Sequence, residues 1–270
     1  MRKFLALFAV LAAATVAVPA SQAITDGEPD LNGHPYVGLM VAQNAAGTPL
    51  WRCSGTLVSP KLFVTAGHCT ESPAAHVEIW FDDGFPIPIG NPGNVLGYPF
   101  EGDVGGTPFT HPDYDPNAFF LRDVGVVEIR GAGWQTDTYG VLPGLNSLDS
   151  LESKKGQQDR TFTAVGYGLQ KSFPDSASFQ ESALRTRMVA HPKLNQINTG
   201  FVGDFSLLLS NNTSTGGTCF GDSGGPNFYP ADSNVIAAVT SYGINGNCAG
   251  TGGVFRLDRS WSLDFINDHL

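Results

Sequence analysis

Residues Thr218 to Phe228 read TCFGDSGGPNF, an Asp-Ser pair set among three glycines just beyond a cysteine. A serine hydroxyl is a poor nucleophile until a base takes its proton and a third group orients that base. A tight glycine turn can hold Ser223 up for such an attack. Gly221 can present its backbone N–H in a conformation that a side chain would hinder, and Gly224 and Gly225 let the backbone pack closely. The N–H groups of Gly221 and Ser223 could then receive a developing oxyanion; losing one such donor typically costs about 2.7–4 kcal/mol in the transition state. The chemistry also needs a histidine and a carboxylate. The histidines are His34, His68, His76, His111, His191 and His269. Among the carboxylates, Asp123 opens the apolar run DVGVVEI, as a buried group would, whereas Asp113 and Asp115 lie in the turn-like HPDYDP.

The elements that must position these groups read as antiparallel β-structure. YVGLMVA (36–42), GTLVSPKLFVTAG (55–67), HVEIWF (76–81), DVGVVEI (123–129), RTFTAVGYG (160–168) and NVIAAVTSYG (234–243) are β-rich runs separated by glycine- and proline-rich turns. The convincing helix is the last segment, DRSWSLDFINDHL. There Trp261, Phe265, Ile266 and Leu270 share a face, and Asp258 or Ser260 is placed to cap the start. The polar stretch from Gly131 to Asp159 reads as a linker between two domains.

The first 23 residues look like a signal peptide, with Arg2 and Lys3 followed by an apolar run and by small residues at Ser21 and Ala23. Cleavage after Ala23 leaves an exported chain of 247 residues and takes the formal charge from −10 to −12. An acidic chain without basic runs argues against nucleic acid, and against an anionic membrane once the leader is gone. Four cysteines in an exported chain imply two disulfides, and although three pairings are possible, the local pairs Cys53–Cys69 and Cys219–Cys248 are expected. Each such loop is worth about 3 kcal/mol on the chain-entropy model. No two cysteines have the short spacing of a zinc site.

VTAGHC (64–69), DVGVV (123–127) and GDSGGP (221–226) resemble the three signatures of the chymotrypsin/trypsin family of serine endopeptidases, in the family's order. VGYG (165–168), SYG (241–243) and the terminal helix fit as well. The resemblance implies two antiparallel β-barrels with a C-terminal α-helix, residues 24–135 forming the first and residues 136–270 the linker, second barrel and helix. It implies Ser223 as nucleophile, His68 as general base and then acid, Asp123 as the carboxylate orienting the imidazole, and Ser241 as a further donor to Asp123. Gly221 and Ser223 become the oxyanion donors, no cofactor or metal is required, and the partners are protein or peptide substrates and protein inhibitors of a secreted monomer. A non-catalytic homologue acting as a secreted binding protein is the alternative.

Carried over in the same way, the specificity pocket has Gly217 at its floor and Gly243 and Gly253 on its walls. With no carboxylate at the floor, the resemblance implies large apolar or aromatic residues before the scissile bond rather than Lys or Arg. FDDG (81–84) and EGD (101–103) read as solvated turns rather than a calcium loop, and NNTS (211–214) holds two overlapping glycosylation sequons. In the family an apolar new N-terminus turns inward to pair with the aspartate before the nucleophile, here Ile24 with Asp222. Thr25 and Asp26 depart from the usual pattern that follows it. Because Ile24 directly follows Ala23, export itself is expected to create this N-terminus. Intact-mass measurement of the secreted protein is expected to find a chain starting at Ile24; fully active protein with another start would overturn this.

Overall fold

The computed structural model describes residues 24–82, 84–87, 97–118, 120–152, 160–172 and 184–270; the expected leader, residues 1–23, lies outside them. Strand β1 (Glu28–Pro29) is followed by β2 (Val37–Gln43), β3 (Pro49–Ser59), β4 (Leu62–Thr65), the one-turn helix α1 (Gly67–Thr70), β5 (His76–Trp80), β6 (Val104–Thr110) and β7 (Gly125–Ile129). The second half contributes β8 (Thr163–Gly166), β9 (Met188–Ala190), β10 (Leu194–Thr199), β11 (Gly203–Asn211), β12 (Pro226–Phe228), β13 (Ile236–Gly243), β14 (Gly250–Arg256) and the helix α2 (Ser260–Asn267).

Six strands close into an antiparallel barrel in the order β2-β3-β4-β7-β6-β5. The other eight form an antiparallel sheet, β1-β9-β8-β12-β13-β14-β11-β10, curled into a half-barrel. The all-β architecture with a terminal helix expected from the sequence is therefore the one the chain adopts. Strand β2 is apolar almost throughout because every residue is buried, and it also packs against β8 of the other sheet. Inside the barrel the Phe63 ring lies so close to β3 that a Cβ on Gly55 would come within 2.3 Å of it. The run GTLVSPKLFVTAG folds as a hairpin rather than one strand. It breaks at Pro60 and Lys61, where Ser59 Oγ accepts the N–H groups of Lys61 and Leu62.

The terminal helix departs from expectation at both ends. Arg259 occupies the cap position, because the Asp258 carboxylate is buried and takes up Arg256 and the N–H of Leu148. Ile266 is buried and Trp261 and Phe265 pack on the core, but Leu270 lies beyond the helix and is 61% exposed. Nor is the polar stretch after Gly131 a free linker over its described part. Trp134 stacks on Phe81, and Leu148 and Leu151 are buried in the core of the second sheet.

Two buried guanidinium groups bind the layers together. Arg256 meets both oxygens of Asp258 at 2.8 and 2.7 Å and reaches Asp149 at 2.8 Å. Burial works against the charged form of Asp149, but the hydrogen bonds from Arg256, Arg259 and Asn198 and the charge of Arg256 outweigh it and lower the carboxyl pKa to about 2. Arg187 reaches Asp30 Oδ2 at 2.8 Å, Asp82 Oδ1 at 3.3 Å and the carbonyl of Val37 at 3.1 Å, so one side chain holds the N-terminal arm, the barrel and β9. Removing one partner of a buried ion pair leaves the other charge uncompensated and typically costs about 3–5 kcal/mol. Arg187→Ala is expected to lower stability by about that amount in urea unfolding, whereas a loss within experimental error would show that Asp30 and Asp82 are satisfied without it.

Candidate active site

The short helix α1 carries His68, and the disulfide from Cys69 to Cys53 fixes that turn against β3. The second disulfide joins Cys219 to Cys248, so both local pairs form. Asp123 lies just before β7 and is fully buried. Its Oδ1 accepts the backbone N–H of His68 at 2.9 Å, and its oxygens stand 3.1 and 3.0 Å from His68 Nδ1. Ser241 Oγ, from β13 of the other sheet, donates to Asp123 Oδ2 at 2.5 Å. This arrangement makes Nδ1 the protonated ring nitrogen and leaves Nε2 free to take a proton. The side chain of His68 is 23% exposed. Burial works against the charged ring, but the charge and hydrogen bonding of Asp123, with a contribution from Glu71, outweigh it and raise the imidazole pKa.

Ser223 sits in a turn that only glycine permits. Gly221 and Gly224 have φ of +94° and +77°, and a Cβ on Gly224 would fall 1.9 Å from Thr65 Oγ1. Ser54, which the sequence reading missed, bolts this turn to the barrel. Its N–H donates to the Ser223 carbonyl at 2.8 Å, its Oγ donates to the Gly221 carbonyl at 3.0 Å and accepts the N–H of Tyr167. A serine in the run CSGTLVS carries no signal of such a role, since its partners lie more than a hundred residues away. Among the described residues, the N–H groups of Gly221 and Ser223 have no protein acceptor, and Ser223 Oγ makes no hydrogen bond to the imidazole. His68 and Ser223 nevertheless line one cavity of about 460 Å³, together with Glu71, Tyr114, Thr218 and Gly243 among others.

Of the three expected pocket glycines, Gly243 lines this cavity. Gly253 does not: a Cβ there would meet the Tyr242 ring at 2.2 Å. The residue facing Thr218 Oγ1, at 3.0 Å from its Cβ position, is Gly252. A register shift between Thr240 and Tyr242 in the pairing of β13 with β14 sets Gly253 opposite Tyr242 and Gly252 opposite Gly243. Gly217 is likewise turned away, its Cβ direction filled by Asn211 at 2.4 Å. Asn211 is buried there between the carbonyl of Thr218 and the hydroxyl of Thr25, and nothing in NNTS marked it for that place.

Asp222, beside the nucleophile turn, is fully buried and accepts the N–H groups of Gly168 and Cys219 at 2.7 and 2.8 Å. Burial pushes its carboxyl up to about 7 against those bonds and the charge of Arg52. Ile24 is not its ion-pair partner here, since its nitrogen is in peptide linkage; its side chain is buried with Ala164, Met188 and Ala190. The one cluster of His, Cys and acidic atoms close enough to hold a metal among the described residues is Cys53, His68 and Cys69, whose two sulfurs are joined to each other.

A family profile described as trypsin matches residues 26–257. The chain belongs to the trypsin family. A venom serine protease of Bombus ignitus is 24% identical over 261 residues, covering 90% of this chain and 67% of that protein. Trypsin beta of Drosophila erecta is 22% identical over 223 residues, 78% of each chain. Among solved structures, HL collagenase superposes with a TM-score of 0.67 at 18% identity, over 91% of this chain and 97% of the other. A mutant of human heparin binding protein does so with a TM-score of 0.61 at 17% identity, over 91% and 96%. These two likenesses are of fold.

A raised histidine pKa means that protonation of His68 favours the folded state, a contribution present below the ordinary value and lost as pH rises through the folded one. NMR titration of His68 is expected to place its midpoint above the ordinary 6.5, and Asp123→Asn to bring it down. A midpoint below 6.5 in the unaltered protein would overturn the electrostatic account.

Proposed function

We propose that this trypsin-family chain is a secreted serine endopeptidase, with the boundary between its two barrels after residue 135. The observation that carries the proposal is the buried Asp123 carboxylate, which holds the ring and main chain of His68 and the hydroxyl of Ser241, in a site where His68 and Ser223 share one cavity. His68 Nε2 takes the Ser223 proton as Oγ attacks the peptide carbonyl carbon. The carbonyl oxygen becomes an oxyanion facing the unpaired N–H groups of Gly221 and Ser223. Imidazolium then gives its proton to the leaving amine, and an acyl-enzyme remains. Water, deprotonated by His68, releases the acid and restores Ser223. Asp123 keeps its charge throughout and stabilises the imidazolium.

The slot bordered by Thr218 and Gly243, with Gly252 opposite Gly243 in the sheet, favours a large apolar or aromatic residue before the scissile bond, because the glycines leave room and none of these residues carries a charge. In the processed chain the Ile24 ammonium pairs with Asp222. Ile24 already packs on Ala164 of β8, and Asp222 Oδ1 lies against Gly166, on the same face of that strand. A buried carboxyl pushed up to about 7 has much to gain from a cation.

A binding protein on the same scaffold is favoured by one feature alone, the missing hydrogen bond from Ser223 to His68, and such bonds are often long before substrate enters. Mapping of cuts in a denatured protein mixture is expected to give cleavage after Phe, Tyr, Leu or Met with the wild type and none with Ser223→Ala. Equal cutting by both proteins would overturn the nucleophile, a preference for Arg or Lys before the bond would overturn the slot, and no cutting by folded protein starting at Ile24 would favour the binding protein.

A further inference from the structure

One charged group in the cavity has no task in the hydrolysis beyond its contribution to the raised pKa of His68. Glu71 ends α1, three residues beyond His68, and its side chain lines the cavity beside His68, Tyr114 and Pro116. Its backbone carbonyl accepts the N–H of Ala74, but among the described residues its carboxylate makes no hydrogen bond and no ion pair. No Lys or Arg lines the cavity, and Glu71 is the one acidic residue that does, among the described residues.

The neighbours of Glu71 suit one kind of ligand. Tyr114, whose ring packs on Gly67, and Pro116 offer an apolar surface for a methylene stem, and the carboxylate stands beside it to receive a charged head. An aromatic face next to a carboxylate also draws a cation on its own account. The slot on the other wall of the cavity, bordered by Thr218 and Gly243, has no carboxylate, so a cationic side chain gains nothing there. Glu71, Tyr114 and Pro116 line one cavity with Thr218, Gly243 and Ser223, which places the Glu71 wall next to a substrate residue adjoining the one held in the slot.

We propose that Glu71 is a specificity-determining residue that selects peptide substrates carrying Lys or Arg immediately beside the slot residue. The proposal rests on the endopeptidase reading and adds a second requirement to it: an apolar residue in the slot and a basic one flanking it.

The test uses peptide pairs that differ only by Lys or norleucine, placed in turn at each position flanking the cleaved residue. In wild-type protein kcat/KM is expected to favour Lys at one of these positions by about threefold or more, mainly through KM and less so at high salt. In Glu71→Gln the ratio is expected to fall to about one, and in Glu71→Lys to turn in favour of a Glu-containing peptide. A merely structural role for Glu71 would lower the rates on both peptides and leave their ratio alone. Calorimetric titration of Ser223→Ala with the same peptides reads the preference without turnover, so a wild type that cuts nothing would sink the endopeptidase reading while this ratio still decides the role of Glu71. A Lys-to-norleucine ratio unchanged by Glu71→Gln in both measurements, or no peptide binding at all, overturns the inference.

Discussion

An ionised carboxylate with no access to water is tolerated only when its oxygens are filled by donors, and Asp123 is such a group. Its donors come from two places: the main chain and ring of His68 on the barrel side, and the hydroxyl of Ser241 on β13 of the other sheet. Satisfying that one charge therefore ties the position of α1 to the position of β13. Ser54 works in the opposite direction, reaching from β3 to the carbonyls of Gly221 and Ser223 and to the N–H of Tyr167. The site is braced twice across the same seam, once from each half.

The parts of this arrangement that could be read from sequence are those whose chemistry is local. Asp123 stands out because an apolar strand follows it, and the Ser223 turn because its glycines have no other use in so short a span. Strands with unbroken apolar runs, β2 and β13, were equally plain. Strand β6 was not, since VGGTPFT hides a seven-residue strand behind two glycines and a proline. Gly106 is required there because a Cβ would meet Val127 at 2.5 Å, a constraint set by a neighbour that no local pattern reveals. The pocket wall failed for a related reason. Counting residues along β14 selects Gly253, but a register shift across the sheet sets Gly253 opposite Tyr242 and Gly252 opposite Gly243, and that shift is a property of the strand pair.

Long-range polar contacts were illegible for the same physical cause. Arg187 and Arg256 look in sequence like two of fifteen ordinary basic residues, yet both are buried almost completely. Each collects partners from segments far apart along the chain: Asp30, Asp82 and Val37 in one case, Asp149, Asn198 and Asp258 in the other. A rigid fork of five donors suits such junctions, where several loops must be held at fixed angles and a lysine could satisfy only part of them. An acidic chain that commits two of its few guanidinium groups to the interior is using them as joinery, and the loops they hold include the arm that bears Ile24.

The double brace at the seam has a consequence for the life of the nascent polypeptide. A chain in which only the barrel has formed owns His68 and Asp123 but lacks Ser241 and the Ser223 turn; a chain with only the second sheet owns the turn but neither of the other two groups. No partly folded molecule carries the whole constellation. On the endopeptidase reading, a chain that has folded only one half cannot yet cut the unfolded siblings beside it. Assembly of the site at a joint, rather than inside either half, makes completed folding the condition for any chemistry that needs all of these groups at once.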